Sequence, residues 1–457
     1  MSKSIDEFLK DTALEDDVTI ANIKLNQISY KICYMHQLAD IKKYNFEVRP
    51  YINEENYQNL ATIFGGIIKP ITDLSKSNLE YLLYSGNILL LFVDNNLFYS
   101  LEYAQKPKRS ITDSILDPED PMTSRDGLIE DLSDNLTLLK RRLKTNNLQV
   151  KKYQLGLISK CDCAIVYMKN FYDKLTLDMV LSKIQNYKPD IVTSISDISV
   201  LYQDKGLLPQ IFSTSSPEII ADALIKGRIA ILLDNSPIAL IVPATLSTFT
   251  TSKSYKNMPK YYTIFNHLFI SVFFLFAIFF MGLFIAIINF HRDILSNALL
   301  ANIQITERGT NWPMFVEVII VYLLFEFYRF STSRSTNNYI QNIIVILGGL
   351  FIGQNAIQSG TIGAIILFLT SISYLAVFAI TTNNYLITSI NIFRFFILIL
   401  SFTMGLFGFI ISSLIVLFYM FKQKNDGTYY LYPFIPFDLK KFKQYFMPNN
   451  QMEKVTK

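Results

Sequence analysis

Long apolar runs dominate the second half of the chain. The first, residues 264–290, contains no acidic residue, lysine or arginine and is interrupted by His267 and a few small polar residues. A bilayer core about 30 Å thick needs roughly 20 apolar helical residues to cross it, so this run can span. A helix buried in a soluble protein rarely continues this far without a polar face. The pattern therefore predicts a membrane-spanning helix.

Four further apolar runs extend this pattern to a multi-pass membrane module. They are residues 313–330, 340–357, 361–382 and 394–420. The run 313–330 carries Glu317, Glu326 and Arg329, and a charge at the bilayer centre costs about 3 kcal/mol. We therefore expect this run not to cross fully, which leaves four crossings. Glu326 and Arg329 are three residues apart on one helix face, so they can pair and lower the cost of their burial.

The first half of the sequence shows shorter apolar runs, in a pattern that alternates helices with strands. A helix pattern ends near Gly86 and is followed by a strand, a turn at residues 94–96 and a second strand. The same order returns with a helix ending near Gly227, a strand, a turn at residues 234–236 and a strand. Glycine suits the left-handed position that ends a helix. We infer two related α/β subdomains; the alternative is a chance likeness between two common helix–hairpin units.

Between these units lies a charged helix with one apolar stripe. Its leucines at helical spacing are Leu128, Leu132, Leu136, Leu139 and Leu143. Acidic residues crowd its start and basic residues its end, which suits the helix dipole. The segment is predicted to bridge the subdomains with a solvated charged face, or alternatively to form a subunit contact. After it we expect strands at 155–159 and 164–168 and a helix near 175–184.

The fold class predicted from these patterns is an α+β multi-domain membrane protein, in which a soluble N-terminal domain of two α/β subdomains precedes a helical transmembrane bundle. The expected boundaries are a polar lead-in at 1–45, subdomain 1 at 46–124, a bridging helix at 125–147, subdomain 2 at 148–255, a transmembrane domain of four to five apolar segments at 256–421, and a basic tail at 422–457.

Composition and charge narrow the class of function. Hydrophobic residues make up 51% of the chain and charged residues 18%, as expected for a soluble domain joined to a membrane block. A net charge of +4 is too small to indicate nucleic-acid binding. The polar N-terminus does not resemble a signal peptide. Lysines flank the apolar block on both sides, so positive-inside reasoning places the N-terminal domain and the tail in the cytoplasm.

The sequence contains no pattern that indicates catalysis. His36, His267 and His291 are the only histidines, and none has cysteine or acidic neighbours at metal-ligand spacing. Three cysteines form neither a metal-finger spacing nor an even disulfide framework. Phosphate-binding loops and nucleophile elbows are absent from the sequence. We expect no enzyme activity, no cofactor and no metal.

Polar residues inside the apolar runs are the better indication of function. Gln354, Asn355 and Gln358 lie at the end of an apolar helix, and both Gln354 and Asn355 share a face with Gln358. Unsatisfied amides in lipid cost several kcal/mol each, so this face should meet protein or water. Either the amides join helices by hydrogen bonds or they line a polar pathway. Glu317, Glu326 and Arg329 can likewise either join helices or line a polar pathway.

Several strings in this sequence resemble the A subunits of the GerA-type spore germinant receptors. The charged helix supplies one set of matches and the membrane runs another. The matching positions are Arg125, Asp126, Gly127, Glu130, Asn135, Arg141 and Arg142, residues 227–246 with Pro237 and Pro243, residues 307–309, Pro313, Glu317, Phe325, Glu326 and Arg329, and residues 348–357, 405–409 and 430–437. The first seven are also candidate residues for a subunit or subdomain interface.

The chain departs from the family pattern at a few places. Ser124, Met281, Ala364 and Thr382 stand where the family usually has proline, which bears on local helix shape. Tyr322 stands where a second intramembrane glutamate is usual, and its loss bears on conduction if that position faces a pore.

The resemblance implies a nutrient sensor in the inner membrane of a bacterial spore, with its N-terminal domain and tail on the core side. Family members act with a transporter-like B subunit that binds the nutrient and with a lipoprotein C subunit. The A subunit would form a homo-oligomeric ring in membrane lipid, a pentamer, that opens as a germinant-gated ion channel. The alternative is a non-conducting subunit that couples the nutrient-binding B subunit to downstream events. A secondary transporter, the third option, would usually show inverted hydropathy repeats, and none is visible here.

Overall fold

A computed structural model of the chain divides into two compact units. The N-terminal unit comprises Met1–Lys205 and Gln210–Ala244, and the helical unit comprises Gly206–Pro209 and Thr245–Lys457. The residues that the structure describes are 8–9, 18–25, 28–36, 38–53, 55–104, 126–203, 206–250, 259–308, 310, 312–334, 353–439, 442 and 445.

Subdomain 1 is built on an antiparallel five-stranded sheet with the order β1-β2-β4-β5-β3. Its strands are β1 (Val18–Leu25), β2 (Ile28–Met35), β3 (Ile68–Pro70), β4 (Ile88–Phe92) and β5 (Leu97–Leu101). Its helices are α1 (Ile41–Lys43), which continues into a π-helical turn (Tyr44–Val48) and a 3-10 turn (Arg49–Tyr51), α2 (Leu60–Ile63) and α3 (Lys76–Tyr84). Every residue of β4 is buried, which marks it as the centre of the core.

The predicted lead-in at residues 1–45 is wrong, because β1 and β2 belong to this sheet. Strand β2 has both faces covered: Tyr30 and Ile32 pack in one apolar cluster, and Cys33 and Met35 in another. A strand buried on both faces loses the alternation of polar and apolar residues that identifies a half-buried strand. This is why the sequence pattern did not reveal it.

Subdomain 2 repeats the same antiparallel strand order, β6-β7-β9-β10-β8. Its strands are β6 (Leu148–Leu155), β7 (Cys161–Met168), β8 (Phe212–Thr214), β9 (Ile229–Leu233) and β10 (Ala239–Val242). Its helices are α4 (Leu132–Arg142), α5 (Lys174–Asn186), α6 (Ile195–Gln203) and α7 (Pro217–Ile225). The expected helix near 175–184 is α5. The strand expected at 155–159 is wrong, since the strand ends at Leu155 and a turn follows.

Both helix–glycine–hairpin patterns read from the sequence are present at their predicted places. Gly86 and Gly227 follow α3 and α7 with φ of +88° and +84°, the left-handed conformation that favours glycine. The hairpin turns also match, with Asn96 and Asn235 at φ of 53° and 61°. Identical strand order in the two sheets supports the interpretation of an internal repeat.

The leucine stripe of the charged helix packs within subdomain 2. Leu132, Leu136 and Leu139 of α4 lie in one buried cluster with Ala164 of β7 and Leu232 of β9. The helix that the sequence places between the subdomains is therefore a packed layer of the second. The residues that follow it contact the first subdomain, where the Tyr84 hydroxyl donates to Asn146 Oδ1 at 3.2 Å.

The helical unit contains seven helices within the described residues and a short hairpin. The helices are α8 (Leu246–Thr250), α9 (Lys260–Phe290), α10 (Asn297–Arg308), α11 (Met314–Arg334), α12 (Gly353–Gln358), α13 (Ala364–Ile380) and α14 (Asn384–Lys422), with a 3-10 turn at Arg292–Ile294 and strands β11 (Lys424–Asn425) and β12 (Thr428–Tyr429). Two of them, α9 and α14, are long and apolar enough to cross a membrane, and α13 is a shorter apolar helix.

Helix α14 doubles back on itself at Gly405, where φ of 62° and ψ of −142° are not helical. The rings of Phe393 and Tyr419 lie 5.7 Å apart, whereas 26 residues of continuous helix would separate them by about 39 Å. A side chain at Gly408 would overlap the carbonyl oxygen of Leu400. We call residues 384–404 limb 1 and residues 406–422 limb 2. The expectation of one continuous helix over the run 394–420 is therefore wrong, because a glycine reverses the chain inside it.

Candidate functional site: a buried ionic cluster in the helical unit

A carboxylate on α11 collects donors from three helices. Arg329, one turn further along α11, donates to Glu326 Oε2 from Nε at 3.0 Å and from Nη2 at 2.7 Å. The Tyr374 hydroxyl of α13 donates to Glu326 Oε1 at 3.1 Å. Asn391 of limb 1 donates to the same oxygen from Nδ2. The pairing of Glu326 with Arg329 that the spacing predicted is confirmed.

Arg394 of limb 1 lies at the centre of the cluster and is 1% exposed. Its Nη1 donates to Asn391 Oδ1 at 3.1 Å, so Asn391 links this guanidinium to Glu326. Nε donates to the carbonyl oxygen of Ala277 at 2.8 Å, and Nη2 to that of Ser373 at 2.9 Å. Arg394 therefore joins α9, α13 and limb 1 through one side chain.

Aromatic rings complete the enclosure of this charge. The guanidinium carbon of Arg394 lies 4.9 Å from the ring centroid of Tyr322 and 5.9 Å from that of Tyr374. A cation over an aromatic face is stabilised, more so when water is excluded. Tyr322, the residue found in place of the expected glutamate, covers the cation with its ring. Its hydroxyl donates to Ser373 Oγ at 3.4 Å.

Sequence reasoning misses Arg394, because the residue stands at the start of an apolar run, where a charged residue is typical of a helix boundary. The signal was present in two features. Asn391 lies three residues earlier, on the same helix face, and Arg394 is followed by about two turns of apolar residues. A charge placed there is costly unless it is paired, which should have marked it as a member of an internal network.

Glu317 forms a second polar contact at the other end of α11. It is 2% exposed, and its Oε2 accepts a hydrogen bond at 2.8 Å from the backbone N–H of Gly363, which precedes α13. A carboxylate at a helix N-terminus satisfies an otherwise unpaired donor and is favoured by the helix dipole. Glu317 thus fixes the start of α13 against the start of α11.

The three amides form a group apart from this cluster. Gln354, Asn355 and Gln358 lie on α12, and all three side chains are exposed on the surface of the single chain. Most of the predicted run 340–357 lies outside the described residues. The ionic cluster therefore makes its contacts within the chain, whereas the three amide side chains lie on the outer surface of the chain.

The candidate interface residues of the charged helix have contacts inside subdomain 2. Asn135 is fully buried, accepts from Ile129 N–H at 2.9 Å and donates to Ile129 carbonyl at 2.6 Å. Arg142 pairs with Asp126, at 2.6 Å between Nη2 and Oδ1. The backbone N–H of Asn235 donates to the Glu130 carbonyl at 2.8 Å. These contacts hold the loop before α4 against its own helix and the β9–β10 turn.

The remaining residues of that set add little to this arrangement. Gly127 is buried, Arg141 is partly exposed, and Arg125 lies outside the described residues. A role for the set in a subunit contact stays a prediction.

The arrangement favours structural and electrostatic roles. In the described part of the chain, no group of three or more His, Cys, Asp or Glu side chains is placed to hold a metal ion. The ionic cluster pairs Glu326 directly with Arg329 and links it to Arg394 through Asn391, and all three charged groups make hydrogen bonds within the protein. Such a cluster fixes helices in one register, because Arg394 is buried and its hydrogen bonds go to three helices.

Comparison with known proteins finds spore germination proteins of similar sequence. Spore germination protein XA of Bacillus anthracis is 29% identical over 79% of this chain and 73% of its own length. Spore germination protein GerQA of Bacillus cereus is 26% identical over 95% of this chain and 87% of its own. Spore germination protein A1 of Bacillus subtilis (strain 168) is 25% identical, with 93% and 89% covered.

One solved structure is also similar. The N-terminal domain of the A subunit of the Bacillus megaterium spore germinant receptor GerK3 aligns with a TM-score of 0.39 and 20% identity, covering 53% of this chain and 94% of that domain. The model of the family described as Bacillus/Clostridium GerA spore germination protein matches residues 3–457. The chain therefore belongs to the GerA family of spore germination proteins.

Proposed function

We propose that this chain is the A subunit of a nutrient germinant receptor, and that copies of it assemble into a germinant-gated ion channel that initiates germination. Family membership over the whole chain supports the role in germination. The observation that carries the channel is the exposed amide face of α12, formed by Gln354, Asn355 and Gln358. Amides at a lipid-facing position would lose their hydrogen bonds with water, so they call for a wet pathway or a neighbouring copy.

The directions of the described helices support a membrane bundle with both ends on one side. Helix α9 runs parallel to limb 1, because Ala277 meets Arg394 near their middles and Phe290 meets Gly405 at their ends. Helix α11 runs antiparallel to limb 1, as the stacking of Phe315 on Phe402 at 4.1 Å indicates together with the Glu326 contact to limb 1.

Helix α13 runs parallel to α11, since Glu317 meets Gly363 near their starts and Phe325 stacks on Tyr374 further along. Two parallel consecutive spans require the chain to return between them, and the run 340–357 is the predicted return. With that run, α9, α11, α13 and the two limbs give six crossings. We therefore propose six crossings where the sequence pattern predicts four, and in this arrangement the run 313–330 crosses fully.

Contacts of the C-terminal tail agree with this topology. The backbone N–H of Leu246 donates to the Tyr430 carbonyl at 2.9 Å, and the rings of His267 and Tyr445 lie 4.3 Å apart. The tail therefore returns to the level at which α9 begins. We place this end in the cytoplasm of the spore core and the bundle in the spore inner membrane.

The assembly remains part of the proposal. We infer a homo-oligomeric ring in membrane lipid, a pentamer, that acts with a transporter-like B subunit and a lipoprotein C subunit. Three relatives bear the names of spore germination proteins, which supports a role for this chain in germination.

Ion flux from liposomes tests the channel directly. The purified chain is reconstituted with entrapped K⁺, and Gln358→Leu is compared with Gln304→Leu, which removes an exposed amide from α10 instead. We expect flux from the wild type, altered flux from Gln358→Leu and unchanged flux from the control. If the wild type forms oligomers in liposomes and conducts nothing, the channel is contradicted.

That last outcome would favour the second candidate, a non-conducting signalling subunit. One observation favours it specifically: the charges of the ionic cluster are satisfied inside a single chain, as a rigid transmitter between partners would require. Receptor-dependent germination without flux from this chain would then identify its role.

A further inference from the structure

Four residues of the helical unit are contributed from within the N-terminal half of the sequence. The segment Gly206–Pro209 belongs to the helical unit, while the chain on both sides of it, through Lys205 and from Gln210, belongs to the N-terminal unit. We call this segment the staple. Its position in the sequence, between α6 and β8 of subdomain 2, makes it a covalent connection between the two units.

The staple is hydrogen-bonded to both limbs of α14. The backbone N–H of Leu207 donates to the hydroxyl of Tyr419 on limb 2 at 2.6 Å. The carbonyl of the same residue accepts from the Ser389 hydroxyl on limb 1. One peptide segment thus bridges two antiparallel helices through the donor and the acceptor of a single residue.

The staple is also held against limb 2 by close packing. A Cβ at Gly206 would lie 2.7 Å from the Tyr419 hydroxyl and 3.0 Å from the Gln423 side chain, so the backbone is in close contact with limb 2. Leu208 is 2% exposed. Tyr419 in turn packs its ring on Phe393 of limb 1. A backbone displacement of the staple must therefore move the ends of both limbs.

We propose that the staple transmits conformational change from the N-terminal unit to the hairpin formed by limb 1 and limb 2. This inference rests on the proposed function, since it assigns the route by which the receptor regulates its helical unit. Limb 1 carries Asn391 and Arg394, so a shift of its first turns acts directly on the ionic cluster that fixes α9, α11 and α13.

A double substitution releases the staple with little change in packing. Tyr419→Phe removes the acceptor for Leu207 N–H and keeps the ring, and Ser389→Ala removes the donor to the Leu207 carbonyl. The matched control is Tyr385→Phe with Ser412→Ala. Tyr385 is exposed at the start of limb 1, and Ser412 is a buried serine of limb 2 whose hydroxyl bonds to Gly408 and Phe409 carbonyls of its own helix.

Two readouts are made on the full chain. Hydrogen exchange in detergent follows the amide of Leu207, which we expect to exchange about tenfold faster in the double variant and unchanged in the control. Spores carrying each variant as their only copy are then germinated at a fixed nutrient concentration. We expect germination about tenfold slower for the double variant, since coupling between sites typically spans about 5- to 150-fold.

Either of two results overturns the staple: an unchanged Leu207 exchange rate, or released exchange with germination as fast as in the control. If the double variant is lost from the membrane, Tyr419→Phe alone, compared with Tyr385→Phe, makes the same test. Absence of flux from the wild type in liposomes would contradict the channel but not the staple, because both readouts here are independent of conduction by the purified chain.

Discussion

The two units of this chain differ in where they place charges and large apolar side chains. In the N-terminal unit the central strand β4 is wholly aliphatic or aromatic and buried, while the ion pair of Lys69 with Glu102 lies at the surface with side chains 59% and 49% exposed. The helical unit buries Arg394 and Glu317 and exposes large apolar side chains such as Leu414. The difference is the one that the proposed placement of the helical unit in lipid and of the N-terminal unit in water requires.

This difference between the units also indicates which polar residues are available for function. Water can satisfy the charges on the first unit, and its sheets pack on clusters of apolar side chains, with a few buried polar residues such as Asn135 and Lys140 among them. Lipid cannot do so, and the helical unit must satisfy every charge by its own hydrogen bonds. The amides of α12 are exposed polar groups of this unit, and in lipid they would require a partner or water.

Removing the buried charge should give the largest effect. We expect Arg394→Met to lose about 3–5 kcal/mol of stability, because it leaves Asn391 and the carbonyls of Ala277 and Ser373 without their donor. Lys69→Met, the same loss of charge at the surface of the other unit, should cost less than about 1 kcal/mol. Thermal unfolding in detergent measures both. Equal stability of Arg394→Met and the wild type would contradict the cluster's role.

Adding a charge to an exposed apolar position should give the next largest effect, and only in the helical unit. Leu414→Arg places a guanidinium on a side chain that is 60% exposed, at a cost of about 3 kcal/mol if that surface faces lipid. Leu157→Arg, at a position 69% exposed in the N-terminal unit, should change stability by less than about 0.5 kcal/mol. The amount of full-length chain in the membrane fraction measures insertion. Similar levels for the two variants would refute the difference in solvent.

A buried amide in the N-terminal unit should give a smaller loss. Asn135→Ala removes two hydrogen bonds to Ile129 and leaves its backbone groups unpaired, at a cost of about 1–3 kcal/mol. Hydrogen exchange should therefore quicken in α4 and in the loop before it. Asn170→Ala, an exposed asparagine, serves as the control and should leave α4 unchanged.

The smallest expected effect on stability is that of mildly alkaline pH, through ionisation of the Cys163 thiol. Burial, with a lesser contribution from Cys161, raises the pKa of the Cys163 thiol to about 12. A raised pKa means that the folded chain holds this proton more tightly than the unfolded chain does. The stabilisation is therefore complete below the unfolded thiol's value, near 8.5, and is lost as pH rises towards 12. At pH 9 the folded chain should resist alkylation of Cys163, and unfolding in urea should expose it; rapid reaction of the folded chain would contradict its burial.

The features that the sequence predicts depend on local patterns, and the features that it misses depend on distant residues. The turns at Gly86 and Gly227 were found because glycine, helix and hairpin patterns are local. Strands β1 and β2 were missed because β2 is covered on both faces, and that burial is decided by distant residues. The apolar runs were found because lipid demands length and hydrophobicity.

The ionic cluster depends on contacts between residues that lie far apart in the sequence, and a local pattern does not reveal them. The pairing of Glu326 with Arg329 follows from helical spacing, but Arg394 meets Ala277 across 117 residues. Gly405 looked like an ordinary glycine in an apolar run, and its reversal became visible only through the approach of Phe393 to Tyr419.

The central claim, a lipid-embedded bundle that reverses at Gly405 and returns its tail to the starting side, is tested most directly by accessibility of single cysteines. Cysteines are placed at exposed Tyr261, Ile294, Met404 and Leu439 in membrane vesicles and treated with an impermeant thiol reagent. We expect positions 261 and 439 to react from one side and positions 294 and 404 to react from the other. Reaction of 261 and 439 from opposite sides would contradict it.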